Sequence, residues 1–173
     1  MDAEALRRLI RDVPDFPKPG ILFRDVSPLF LDGAGLRAAV EALAEPFREA
    51  GVDRVLGIES RGFLLGPPVA LTLGTGFGLI RKDGKLPWKT LRVEYDLEYG
   101  TDTVEMHVDA VEPGQRVLLV DDLIATGGTA AAAASLIRRA GGELVGASFL
   151  IELAPLGGRA RLDTPHLHAV LTY

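Results

Sequence analysis

Two adjacent carboxylates ahead of a glycine turn are the part of this sequence best equipped for chemistry. Residues 117–129 read VLLVDDLIATGGT. The apolar run over residues 117–120 predicts a buried strand that delivers Asp121 and Asp122 to its C-terminal end. A turn through Ala125, Thr126, Gly127, Gly128 and Thr129 then opens an Ala-rich helix over residues 129–140, closed by Gly141. In an open parallel sheet, ligands bind at that edge. Backbone N–H groups at the helix start favour a phosphate, the glycines permit close approach, and Thr126 and Thr129 add hydroxyl donors. The two acids repel a phosphate but accept hydrogen bonds from sugar hydroxyls. The pattern points to a phosphorylated sugar. It matches neither G-x-x-x-x-G-K-[ST] nor G-x-G-x-x-G, which disfavours a nucleoside triphosphatase and a dinucleotide-binding fold. Gly74, Gly76 and Gly78 do not restore the second, because they precede a strand.

Other residues leave more than one reading open. Arg61, in the turn Ser60-Arg61-Gly62, offers several donors to phosphate oxygens or is a surface arginine at a strand end. Arg81, Lys82 and Lys85 could meet an anion or line a solvated turn. Phe23 can stack on a purine or sit in the core, with Arg24 and Asp25 as a surface ion pair. Glu94, Asp96, Glu98 and Glu105 all fall on polar positions of a strand pattern, where charged residues face water, and spacing does not choose among them. His166 and His168 share a strand face and could ligate a metal. With His107 as the only other histidine, two solvated histidines are the better reading.

The elements that must position these groups follow from periodicity. Leu6, Leu9, Ile10 and Val13 predict a helix over residues 3–12, and Pro14, Pro17, Pro19 and Gly20 forbid regular structure until about Ile21. Asp32 caps a second helix with Leu36, Val40, Leu43 and Phe47 on one face, stopped or kinked at Pro46. Residues 54–59 predict a short buried strand, followed by a helix in which Pro67 and Pro68 belong to the first turn or disturb it. Residues 77–81 are another strand. Residues 91–108 alternate apolar and polar around Gly100, which predicts a two-stranded ribbon with one wet face. Residues 144–153 and 167–173 supply two more strands. The fold class is therefore α/β: an open, mostly parallel twisted sheet with helices on both faces, plus the ribbon.

The 173-residue length suits one domain. There is no cysteine, which excludes disulfides and zinc–thiolate sites and fits a reducing cytoplasm. The first twelve residues carry charges throughout and lack a signal core, and no apolar stretch is long enough to span a bilayer. A net charge of −5 argues against nucleic acid as a partner.

Residues 117–129 resemble the phosphoribosyl-pyrophosphate motif of the type I phosphoribosyltransferases. Five further segments resemble adenine phosphoribosyltransferases, in family order: DFPKPGILFRDVSPL (15–29), ESRGFLLG (59–66), IRKDGKLP (80–87), YDLEYG (95–100) and EPGQR (112–116). The resemblance implies transfer of a phosphoribosyl group from 5-phosphoribosyl-1-pyrophosphate to adenine, giving AMP and pyrophosphate with magnesium, in a homodimer. It assigns Ala125, Thr126, Gly127, Gly128 and Thr129 to the 5′-phosphate and Asp121 and Asp122 to the ribose hydroxyls. Ser60, Arg61, Arg81, Lys85 and Tyr99 are assigned to pyrophosphate, with Lys82 the weakest of the cations. Leu22, Phe23, Arg24 and Leu153 are assigned to adenine, and Glu98 with Arg61 to catalysis. The Ser60 turn of that family often includes a non-proline cis peptide. Hood elements span about residues 14–30 and 82–108, with Trp88 and Lys89 where the family carries smaller or neutral residues.

Overall fold

The computed structural model describes residues 1–97 and 100–173. The elements in order are α1 (Ala3–Arg7), β1 (Arg11–Pro14), β2 (Leu22–Asp25), α2 (Ser27–Leu31), α3 (Gly33–Ala44), β3 (Arg54–Ile58), α4 (Gly62–Leu73), β4 (Gly76–Lys82), β5 (Thr90–Leu97), β6 (Gly100–His107), β7 (Arg116–Ile124), α5 (Gly128–Arg139), β8 (Glu143–Glu152), α6 (Gly158–Arg161) and β9 (Leu167–Thr172). Seven strands form one sheet in the order β5-β6-β4-β3-β7-β8-β9. Strands β4, β3, β7, β8 and β9 pair in parallel, and β6 and β5 add an antiparallel edge. Strands β1 and β2 form a separate antiparallel pair.

Continuous apolar runs make the central strands because both their faces are covered. Along β7, Val117 and Leu119 enter the core beneath α5, while Leu118 and Val120 face α3 and α4 on the other side. The small face of α5 (Ala130, Ala133, Ala134) lets that helix lie close against the sheet. Asp32 caps α3 by accepting from the Gly35 N–H at 2.6 Å, and Pro46 ends the α-helix in a 3₁₀ turn, both in line with the sequence. The mostly parallel sheet with helices on both faces and an added ribbon is the fold class the sequence implied.

Three local expectations are corrected, and for Pro67 and Pro68 one of the two readings left open is selected. The first helix stops at Arg7 rather than residue 12, because Arg11, Asp12, Val13 and Pro14 pair with β2 instead. Cross-strand hydrogen bonds overrode a helical spacing only three turns long. Pro67 and Pro68 lie in the middle of α4, not its first turn. They remove the N–H groups that would meet the Phe63 and Leu64 carbonyls, at about 3 kcal/mol for an interior proline. Full burial of Leu65 and Val69, worth about 1.5–3 kcal/mol each, offsets much of this. Strand β7 continues past the two acids to Ile124, since Leu123 and Ile124 pair with Ile151 and Glu152 of β8. His168 is half-buried rather than solvated, and burial pulls its pKa down. His166 packs edge-on against Phe47 at 5.2 Å. Among the described residues no group of three or more His, Cys, Asp or Glu side chains could hold a metal ion.

Candidate active site

A cleft of about 430 Å³ opens where the C-terminal ends of β3 and β7 meet the start of α5. Ser60, Arg61, Asp121, Asp122 and the whole turn from Ala125 to Thr129 line it. The first intrahelical bond of α5 runs from Ala131 N to Gly127 O at 2.9 Å, so the amides of Gly128, Thr129 and Ala130 precede it and are available to a ligand oxygen. Gly127 has φ +80°, and a Cβ there would come within 2.5 Å of the Gly158 carbonyl oxygen. Gly158 is equally confined, since its own Cβ would meet the Ala125 oxygen at 2.3 Å. The start of α6 thus presses backbone to backbone on the turn. Sequence reasoning missed Gly158, which sits thirty residues away in an unremarkable Gly-Gly pair. A Gly158→Ala variant must displace the turn, and a shift of about 1 Å costs roughly 10²-fold in kcat/KM. Steady-state kinetics with an unchanged kcat/KM would remove Gly158 from this supporting role.

The two acids differ. Asp122 receives the Arg61 Nε–H at 2.5 Å, and its own N–H donates to Asp121 Oδ1 at 2.8 Å. Burial, reinforced by the neighbouring Asp122 charge, pushes the Asp121 carboxyl well above the usual range. Burial works against the Arg61 charge too, but attraction from Asp122 and Asp121 outweighs it and raises the Arg61 pKa. The arginine stays a cation beside the pair.

The cationic run divides in two. Lys82, the weakest of the three in the sequence, lines the cleft, donates to the Tyr95 hydroxyl at 2.8 Å and pairs with Asp102. Arg81 and Lys85 stand one layer back, on Glu59, at 3.1 and 2.6 Å. Glu59 also lines the cleft and was not singled out from the sequence, where it is one acid at a strand end. The Glu59–Ser60 peptide is cis. Thr129 and Tyr95 share a hydroxyl–hydroxyl hydrogen bond of 3.1 Å, which ties the β5–β6 ribbon to the 125–129 turn.

Glu105 corrects the reading of the ribbon's polar positions as wet. It is fully buried and accepts from the main-chain N–H groups of Lys85 and Leu86 at 2.9 and 3.0 Å, with Arg92 Nε 3.3 Å from its other oxygen. Burial raises the Glu105 pKa, but the Leu86 and Lys85 amides outweigh it and the net shift is downward. Glu59 behaves likewise, its burial overcome by Lys85 and Arg81. For Asp102, the Lys82 hydrogen bond lowers the value outright. Each folded-state pKa lies below its unfolded value, so the stability these groups contribute is complete above about pH 4.5 and is lost as pH falls through the folded values. Thermal melts from pH 7 to pH 3 should therefore show Tm falling below about pH 4.5, less steeply in Glu105→Gln. A Tm flat across that window would contradict this.

The β1–β2 pair borders the cleft. Phe23 packs edge-on against Phe16 at 5.1 Å, and the Arg61 guanidinium stands 5.9 Å from the Phe23 ring. Leu22 is exposed. Arg24 does not pair with Asp25. It pairs with Asp12 and stacks over Tyr173 at 4.0 Å, while Asp25 faces Arg11 and accepts from Ser27. Leu153 follows β8, its N–H bonded to the Ile124 oxygen at 3.0 Å. Glu98 and Tyr99 lie outside the described residues, between the paired Leu97 and Gly100.

Residues 30–164 match the phosphoribosyl transferase domain family. The chain is 58% identical over 168 residues to an adenine phosphoribosyltransferase of Thermosynechococcus vestitus, covering 97% of this chain and 99% of that one. It is similar to the crystal structure of adenine phosphoribosyltransferase from Rhodothermus marinus, with a TM-score of 0.94, 57% identity and coverage of 99% and 98% of the two chains. The Saccharomyces cerevisiae adenine phosphoribosyltransferase, crystallised with an imino-altritol bisphosphate and adenine, aligns at TM-score 0.90 and 42% identity, covering 95% and 96%.

Proposed function

The chain belongs to the adenine phosphoribosyltransferase family, and we infer from that membership that it transfers the phosphoribosyl group of 5-phosphoribosyl-1-pyrophosphate to adenine, releasing AMP and pyrophosphate. One observation carries the assignment of roles: Asp121, Asp122, Arg61 and the 125–129 turn share one cleft. The amides and hydroxyls of Ala125, Thr126, Gly127, Gly128 and Thr129 hold the 5′-phosphate, and Asp121 and Asp122 accept from the ribose hydroxyls. Adenine N9 attacks C1′ while the C1′–oxygen bond to pyrophosphate breaks on the opposite face, with inversion and oxocarbenium character. Ser60, Arg61, Arg81, Lys85 and Tyr99 take up charge on the departing pyrophosphate. Lys82, which lines the cleft, joins them. Phe23 stacks on the base, Leu22 and Arg24 present main-chain groups to its edge, and Leu153 closes the other side. Glu98 accepts the purine's N7–H proton as N9 bonds to C1′, which makes N9 the nucleophile and gives that proton its acceptor.

The carboxylates lining the cleft are Glu59, Asp121 and Asp122. Glu59 is engaged by Arg81 and Lys85, and Asp122 by Arg61. That donor set fits a magnesium ion held mainly through pyrophosphate and the ribose hydroxyls, with the Asp pair fixing those hydroxyls. When bound, the ion neutralises leaving-group charge. We place the chain in the cytoplasm as one domain, with hood elements at about 14–30 and 82–108. It works as a homodimer whose interface runs near the hood, where Trp88 is exposed; light scattering on the eluted protein reads the mass.

Mixing the protein with phosphoribosyl pyrophosphate, magnesium and each base in turn decides the substrate. Adenine gives AMP, with hypoxanthine, guanine, xanthine and orotate slower by roughly 10⁴-fold, the range for a site that hydrogen-bonds its substrate's edge. Comparable turnover of another base would overturn the reading.

A further inference from the structure

Strands β1 and β2 share no strand pairing with the main sheet. Ile10 and Val26 anchor the open end of this ribbon, beside the Arg11–Asp25 pair, in the core. Its middle, which carries Phe23, must be held by side chains. Arg24 reaches across to Tyr173, its guanidinium 4.0 Å from the ring centroid, and Arg7 of α1 stands over the same ring at 4.3 Å. Arg7 also donates to the Thr172 carbonyl at 2.9 Å. The main chain of Tyr173 is fixed on the other side. Its N–H donates to the Glu152 oxygen at 2.9 Å, and its carbonyl accepts from the Ala154 N–H at 3.0 Å, so the two bonds bracket Leu153. One residue outside the cleft and outside every motif therefore touches both strands of chain that flank the base.

We propose that Tyr173 is a positioning residue for adenine, clamping the Phe23-bearing ribbon to the Leu153 segment through Arg24. This rests on the reading of Phe23 and Leu153 as the walls of the base site. Among the described residues the ring and main chain of Tyr173 engage Arg7, Arg24, Glu152 and Ala154, so the clamp acts on the base and leaves the phosphoribosyl end alone.

The experiment measures KM for adenine, KM for phosphoribosyl pyrophosphate and Tm in Tyr173→Leu, Tyr173→Phe, Arg24→Gln and Phe23→Ala. Tyr173→Leu raises KM for adenine roughly tenfold, the scale of losing two cation–π contacts. KM for phosphoribosyl pyrophosphate stays within about twofold, the signature of lost binding at one substrate only. Tyr173→Phe keeps the ring and the wild-type KM, and Arg24→Gln reproduces the leucine phenotype should that variant not fold. An unchanged KM for adenine in Tyr173→Leu and Arg24→Gln, beside a raised one in Phe23→Ala, overturns the clamp and leaves the base wall standing. An unchanged value in Phe23→Ala overturns the wall and the clamp together. An equal rise in both KM values reports general loosening and also overturns the clamp.

Discussion

An Arg61→Met variant should lose roughly 10²–10³ in kcat, the scale of removing one preorganised charge from a developing anion. Two effects add. The guanidinium is bonded to Asp122 and lines the cleft proposed to hold pyrophosphate. Its loss also leaves Asp121 and Asp122 without the charge that offsets their mutual repulsion. Attraction from Arg61 lowers the Asp121 pKa against burial and the Asp122 charge, so in the variant that pKa rises further. The acid limb of a kcat/KM profile should move to higher pH, because Asp121, the carboxylate proposed for the ribose hydroxyls, is protonated over a wider range. Lysine at this position should not restore activity, since an ammonium lacks the planar fork of donors. Rates and a pH profile equal to wild type would remove Arg61 from catalysis.

Glu98→Gln should lower kcat by roughly 10²–10⁴, the range for a general acid–base group. The family resemblance identifies this residue, which lies outside the described residues. Tyr95, on the strand that leads to Glu98, is bonded to Thr129 of the phosphate turn and to Lys82. On the proposed roles, a 5′-phosphate bound at Thr129 would therefore steady Tyr95 and its strand. Glutamine keeps the size and removes the proton exchange. The loss should appear in the chemical step of a single turnover, with AMP affinity little changed, since the phosphate turn is untouched. Single-turnover rates equal to wild type would exclude the role. So would a fall in AMP affinity matching the fall in rate.

The chemistry that lies contiguous in the chain was legible before the fold was seen. Strand, paired acids, glycine turn and helix follow one another over residues 117–140, so local physics alone reads them, and the mostly parallel sheet follows from the strand–helix alternation. What escaped depends on which residues meet across the fold. Glu59 and Glu105 look like solvated acids on strands, yet one gathers Arg81 and Lys85 while the other is sealed under the Lys85–Leu86 backbone. No spacing rule reveals a carboxylate whose partners are main-chain amides twenty residues away. Gly158 matters because of backbone contact with Gly127, and a sequence carries no mark of that. The β1 strand was hidden by Leu6 and Ile10, which do share a buried side, although the chain between them leaves the helix. Lys82 lines the cleft while Arg81 turns to Glu59, because strand alternation sends neighbours to opposite sides.

If the strand edge at Asp121 and Asp122 binds a phosphorylated ribose, a crystal structure with AMP should show it. Phosphate oxygens should lie within hydrogen-bond distance of the Gly128 and Thr129 amides, ribose hydroxyls on Asp121 and Asp122, and the purine against Phe23. AMP bound anywhere else, with the 125–129 turn carrying no phosphate, would contradict it.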